Sequence, residues 1–295
     1  MDIWMKVRRG WMISCLLGAA ICCQAGESRA LLIAVSHYPA HSGWIQVHGD
    51  NDLTLLIPVL DRFHFEQENR LILKDEAATY QAITQALQLL GEQASEGDNV
   101  WIHFSGHGQQ MEDDNGDEPD GLDESLIPYN AQMYYQKGIY EGENHLRDDE
   151  LNRYLTTIRR KLGETGSLWV SLDACHSGSA TRGEEDEWMR GAHVVFSANP
   201  GFLPPEKSES SYIDTPLLQE EGLSPLTVLS ACRADQNNYE YKSGDKWYGV
   251  LTYAFCQVMN SRTTWPEPKE LIGALKAAMS KLTSKQRPVF ETTQK

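Results

Sequence analysis

Basic residues are the first shortage in this chain: 26 lysines and arginines stand against 42 aspartates and glutamates, a formal net charge of −16 over 295 residues. No run of Lys and Arg interleaved with aromatics offsets it. Such a surface repels nucleic acid and anionic lipid and favours basic partners or divalent cations. Long apolar runs are also lacking. The one at residues 11–23 is too short to span a bilayer comfortably and has no stop-transfer flank. Cysteine is sparse, six in all, with no Cys-x2-Cys pair, so a zinc site built from Cys175, His176 and His107 lacks the usual spacing. No Gly-x-Ser-x-Gly element is present, which excludes a serine nucleophile elbow. Nothing repeats at a solenoid or propeller period.

What is present supports a globular protein. Apolar residues make up 41% of the chain and charged ones 23%, enough of the first for a sizeable core and too ordinary a share of the second for disorder. The first 25 residues stand apart. Lys6, Arg8 and Arg9 precede the apolar stretch, and Cys23, Gln24 and Ala25 offer small residues where a signal peptidase reads. Ile21 before Cys22 is too large for a lipoprotein cleavage site. Residues 1–25 are therefore expected to be a cleaved signal peptide, with residues 26–295 exported to a periplasmic or secreted location. Loss of one acid (Asp2) and three bases takes the net charge from −16 to −18. It also removes Cys15, Cys22 and Cys23, leaving Cys175, Cys232 and Cys256. An odd count leaves at least one free thiol. Cys232 and Cys256 either pair or lie buried.

Hydrophobic patterning predicts alternating strands and helices. Strands are expected at 30–36, 71–73, 99–105, 168–172 and 226–230. Helices are expected at 52–65, at 79–93 with Thr79 as N-cap, and at 148–162, 249–260 and 267–282. Residues 106–147 and 180–223 read as loops. The alternation implies an α/β fold with a mainly parallel central sheet flanked by helices. Ligands in such sheets bind at the carboxyl ends of the strands, which places chemistry just after residues 105, 173 and 230.

Two of those ends carry reactive residues. The third strand runs into Ser105-Gly106-His107-Gly108, and the fourth into Asp173-Ala174-Cys175-His176. A thiol becomes a useful nucleophile when a base takes its proton, and histidine titrates in the right range. His176 points away from its neighbour Cys175, so His107 is the better base. The N–H groups of Gly108 and Cys175 are candidate oxyanion donors. Taken singly, a cysteine after a strand is commonly a buried small hydrophobe and a histidine between glycines a turn residue. The pairing at two parallel strand ends points to catalysis.

The motifs FSGHG (104–108), DEPDGLDESLIP (117–128), DACHSG (173–178) and LSACRADQNNYE (229–240) resemble, in this order, the metacaspase branch of the caspase-like cysteine peptidases. The similarity spans about residues 30–260. It implies a caspase-like sandwich with a large-subunit-like part at 30–180, a loop at 180–223 and a small-subunit-like part at 224–290. True caspases place Gln-Ala-Cys at the nucleophile. Here Asp173 takes the glutamine's place, and the resemblance implies cleavage after Arg or Lys in a pocket lined by Asp52, Ser105 and Asp173. Two carboxylates would bind a basic side chain and repel an aspartate. For Asp52 the plain alternative is a carboxylate at a favourable helix N-terminus.

The acids of residues 112–124 have two readings, a solvated charge run or a cation site. Their spacing does not fit an EF-hand. The resemblance implies calcium held by Asp123, Asp148, Asp149 and one of Glu184, Glu185 or Asp186, with magnesium disfavoured by many flexible ligands. No organic cofactor is implied. The expected activity is a calcium-stimulated Cys-His endopeptidase acting on protein or peptide substrates with basic residues. The rival is a caspase-fold scaffold with weak or no turnover, against which the presence of both His107 and Cys175 argues. A monomer is expected by analogy, since an acidic edge opposes the strand-to-strand dimers of caspases. Within 180–223, Arg182, Arg190 and Lys207 are sites for self-cleavage, with the bond from Arg190 to Gly191 chosen.

Overall fold

A computed structural model describes residues 26–116, 118, 121–175, 188–192, 194–199, 201–202, 221–233 and 236–294. The expected signal peptide, His176, Arg182, Lys207 and the acids Glu184, Glu185 and Asp186 lie outside the described residues.

The centre is a six-stranded sheet in the order β11-β8-β7-β3-β1-β2. Strands β1 (Ser28–Ala34), β2 (Arg70–Lys74) and β3 (Asn99–Ser105) run parallel with β7 (Ser167–Asp173) and β8 (Leu226–Ser230), and β11 (Val289–Thr292) closes one edge antiparallel. The inner strands are apolar on both faces, as a sheet covered on both sides requires. On one side pack α2 (Tyr80–Gln93) and α3 (Asp148–Leu162), through Ile83, Leu87, Leu151, Leu155 and Ile158. On the other lie α1 (Gly49–Arg62), α4 (Val250–Asn260) and α5 (Pro268–Leu282), through Leu56, Leu60, Phe255, Leu271 and Leu275. This is the expected α/β sandwich with a mainly parallel sheet. Thr79 caps α2 as expected, its side chain accepting from the N–H of Ala82. Among the described residues no helix is long and apolar enough to cross a membrane.

The stretch 106–147 is not a structureless loop. It holds β4 (Gly108–Glu112), β5 (Leu122–Leu126) and β6 (Leu146–Arg147), an antiparallel three-stranded sheet beyond the carboxyl end of β3. The reason for the difference lies in composition: β4 reads GQQME and β5 reads LDESL, polar sequences whose side chains are nevertheless mostly buried. Met189 and Phe196, within the other expected loop, are also tied down, bridged to Tyr239 and to Met111. A hairpin of β9 (Glu240–Ser243) and β10 (Lys246–Gly249) leads into α4.

Candidate active site

Strand register sets the site. Ala34 is paired with Ser105 and Ser105 with Asp173, so β1, β3 and β7 end in one row, and His107 and Cys175 each follow two residues beyond it. Both are buried.

His107 is held from several directions. Its N–H donates to the Tyr38 hydroxyl at 3.0 Å, and that hydroxyl donates to the Ile127 carbonyl at 3.0 Å. The imidazole stacks on Trp44, with ring centroids 4.8 Å apart, and tilts against Tyr38 at 5.0 Å. Nε2 lies 2.9 Å from the Ile45 carbonyl. A carbonyl only accepts, so Nε2 carries the hydrogen and Nδ1 keeps its lone pair. Nδ1 is buried with no hydrogen-bond partner. Burial pushes the ring's pKa down to about 4, so at neutral pH it is an uncharged proton acceptor.

The Cys175 thiol lies 2.8 Å from the Gln236 carbonyl, which the Cys232 thiol also approaches, at 3.5 Å. Cys232 and Cys256 are both buried and are not joined in a disulfide, which answers the pairing left open by the sequence. Burial pushes Cys256 far up, so it stays an un-ionised core thiol. The N–H of Cys175 donates at 2.7 Å to the carbonyl oxygen of Arg190. Gly108 is buried at the start of β4, opposite Leu126.

The chain's own Arg190 fills the pocket beside them. Its side chain is fully buried. Nη1 donates to Asp52 Oδ2 at 2.7 Å and to Ser105 Oγ at 2.7 Å, and lies 3.5 Å from Asp173 Oδ1. All three residues expected to line a pocket for a basic side chain thus converge on one guanidinium. Ser105 also bonds Asp52 directly. Asp173 is tied mainly elsewhere: Oδ2 accepts from the N–H and hydroxyl of Thr252 in the first turn of α4, and Oδ1 from Asn238.

Two pocket residues escaped the sequence reading. Glu240 Oε1 accepts from Arg190 Nε at 2.9 Å and from the His48 N–H at 2.7 Å. Burial would raise its pKa, but the Arg190 charge and the His48 hydrogen bonds hold it below the usual carboxylate range. Gly249 forms the floor: its N–H donates to Asp52 Oδ1 at 2.9 Å, and a Cβ there would collide with the Asp173 carboxylate and the Arg190 guanidinium. Glu240 ends the quoted LSACRADQNNYE motif, so the signal was in view but tied to no role. Gly249 carries no signal of its own, since only its neighbours in space explain it.

Backbone pairing completes the arrangement. Arg190 N–H donates to the Asn238 carbonyl and Glu240 N–H to that of Trp188, both at 2.9 Å. Residues 188–190 therefore lie as an added antiparallel strand along 238–240, a common mode of holding an extended peptide.

The metal candidates sit to one side. Among the described residues, Asp113, Asp114 and Asp123 bring carboxylate oxygens within 4.8 Å of one another. Arg147 forms ion pairs with Asp123 and Asp114. Asp148 and Asp149 open α3, and Asp149 accepts from Asn115 at 2.6 Å. Burial of Asp113 is outweighed by hydrogen bonds from the N–H groups of Gly116, Asn115 and Glu118, which keep it ionised. Of the expected ligands among the described residues, only Asp123 belongs to that convergent set, which does not include Asp148 or Asp149. Carboxylate oxygens are the donors calcium takes, so the Asp113, Asp114 and Asp123 set fits that ion in chemistry, with Arg147 sharing it.

A family model described as Caspase domain (Peptidase_C14) matches residues 27–295. Metacaspase-2 of Arabidopsis thaliana is 28% identical over 79% of this chain and 52% of its own length. Metacaspase-1 of Eremothecium gossypii is 26% identical over 80% of this chain and 58% of its own. The chain thus spans a little over half the length of these curated relatives. Among solved structures, a Geobacter sulfurreducens protein superposes with a TM-score of 0.62 at 20% identity, covering 90% of this chain and 93% of that one. Caspase-1 of Spodoptera frugiperda superposes with a TM-score of 0.52 at 11% identity, covering 90% and 86%. These two likenesses bear on the fold alone.

Proposed function

The chain belongs to the caspase-domain family, on its metacaspase side, and from that premise we propose a cysteine endopeptidase that cleaves after arginine or lysine with Cys175 as nucleophile and His107 as base. One observation carries the reading. A basic side chain of the protein itself lies in the acidic pocket with its carbonyl oxygen on the N–H of Cys175. That is the placement a substrate needs, with the carbonyl polarised where negative charge will develop.

The chemistry follows from the residues present. His107 Nδ1 takes the thiol proton as sulfur attacks the carbonyl carbon, and the negative oxygen is stabilised by the N–H groups of Cys175 and Gly108. His107 returns the proton to the departing amine, leaving a thioester. Water, activated by the same ring, then releases the acid and restores the thiol. Ile45 acts as a positioning residue, because its carbonyl keeps the hydrogen on Nε2 and the lone pair on Nδ1.

The acidic segment supports calcium stimulation, with Asp123, Asp148 and Asp149 as ligands. A divalent ion there would neutralise like charges on the segment that leaves His107. Export rests on the signal-like first 25 residues. The monomer reading rests on the acidic charge of the chain, which opposes edge-to-edge pairing through β11, the outer strand of the sheet. Against a pure scaffold stands the presence of both His107 and Cys175, each two residues beyond the end of a parallel strand.

A peptide-library cleavage profile with and without calcium tests activity, specificity and cation dependence together. The expected result is cutting after basic residues, increased by calcium. A preference for aspartate would sink the pocket assignment, and no cutting under either condition would favour the scaffold.

A further inference from the structure

Arg190 and Gly191 do more than fill the site, because they report what it discriminates. The pocket reads two guanidinium nitrogens, Nε through Glu240 and Nη1 through Asp52 and Ser105, while Nη2 has no hydrogen-bond partner. Lysine has a methylene where arginine has Nε, and its ammonium ends about one bond short of the Nη1 position. Glu240 is 7% exposed and its carboxylate is locked by His48 through both oxygens, so it cannot follow a shorter side chain. A lysine would leave that buried carboxylate facing carbon. Sites built to hydrogen-bond a substrate N–H reject analogues that lack it, because the buried acceptor loses a partner; here Glu240 Oε1 would keep only the His48 N–H.

The residue after the bond is equally constrained. A Cβ placed on Gly191 would lie 2.9 Å from the carbonyl oxygen of Cys175 and 3.1 Å from its Cβ. The obstacle is the backbone of the nucleophile itself, which cannot move without displacing the thiol and the N–H that holds the Arg190 carbonyl.

We infer that the site is built for arginyl-glycyl bonds, with Glu240 selecting arginine over lysine before the cut and the Cys175 backbone selecting glycine after it. The inference rests on the peptidase reading above and narrows its substrate class. It also makes the bond between Arg190 and Gly191 the first such substrate the enzyme meets.

The test uses the full-length chain with calcium and reads its own bond by intact mass over time. Arg190→Lys is expected to slow cutting at that position roughly 10- to 100-fold, the range for losing a hydrogen bond between charged groups. Gly191→Ala is expected to slow it about tenfold or more, from overpacking against backbone. Glu240→Gln should slow the arginine bond while narrowing the gap between arginine and lysine. Because these substitutions could disturb folding, the unsubstituted protein is also assayed on peptides differing only as Arg-Gly, Lys-Gly and Arg-Ala. Lysine cut within threefold of arginine, or alanine tolerated as well as glycine, overturns the inference while leaving a basic-residue peptidase standing. An intact protein that cuts none of the peptides overturns the peptidase reading, and this inference with it.

Discussion

Arg190 is a fully buried cation among three acids, Asp52, Asp173 and Glu240. Removing one partner of such a cluster leaves charge uncompensated in a low dielectric, which is why single substitutions here should act strongly. Asp52 is the sensitive member. Burial pushes its pKa up to about 7 against the pull of Arg190, and nearby Asp173 adds to the rise. Below that pH Asp52 takes up a proton and loses the charge that holds a guanidinium. The ratio kcat/KM for an arginyl substrate should therefore fall as pH drops through about 7, a step well above the His107 value of about 4. A pH profile of wild type against Asp52→Asn checks this: the variant's reduced activity should lack that step, and an unchanged step would assign it elsewhere. At Gly249 the expectation is steric. Gly249→Ala puts a methyl where the guanidinium lies and should cut kcat/KM about tenfold or more with the fold retained, read by steady-state kinetics beside a thermal melt.

At the scale of elements, the ends of β3 and β7 and the starts of α1 and α4 meet around the pocket. Gly49 permits this at α1, since a Cβ there would press on the Ser105 carbonyl at 2.7 Å. Asp173 doubles as an anion at the start of α4. The N-terminus of α3 carries the cation expectation. Asp148→Ala with Asp149→Ala should remove calcium stimulation while leaving Cys175 open to small alkylating agents, compared by activity with calcium and with chelator. Activity full in chelator and unaltered by the pair would make these acids an ordinary solvated face. The elements that patterning revealed were those with strong apolar period: β3, α3 and β8 match the expected bounds, and β1, β7, α1, α2, α4 and α5 lie within a few residues of them. Among the elements it missed, β9, β10 and β11 are four residues each and only partly buried, while β4 and β5 bury polar side chains. Gln109 and Glu124 are fully buried in β4 and β5, where hydrogen bonding replaces the apolar signal, and β6 is two residues long. Within the site, His107, Cys175, Ser105 and Asp173 stood out because motifs carry them, and Asp52 through the resemblance those motifs establish. Glu240 and Gly249 did not, because their roles depend on which strand lies opposite Arg190.

As a whole, the molecule closes its own pocket. Residues 188–190 pair along 238–240, Arg190 fills the acidic pocket, and Gly191 lies against Cys175. On the proposed function, this arrangement is an enzyme holding its own substrate. Intact-mass analysis of the wild-type protein beside Cys175→Ala, both incubated with calcium, tests it most directly. Wild type is expected to separate into two pieces between Arg190 and Gly191 while Cys175→Ala, folded and otherwise equal, stays whole. Equal cutting of both proteins at that bond would contradict it, as would a wild-type chain that stays whole and leaves arginyl peptides untouched.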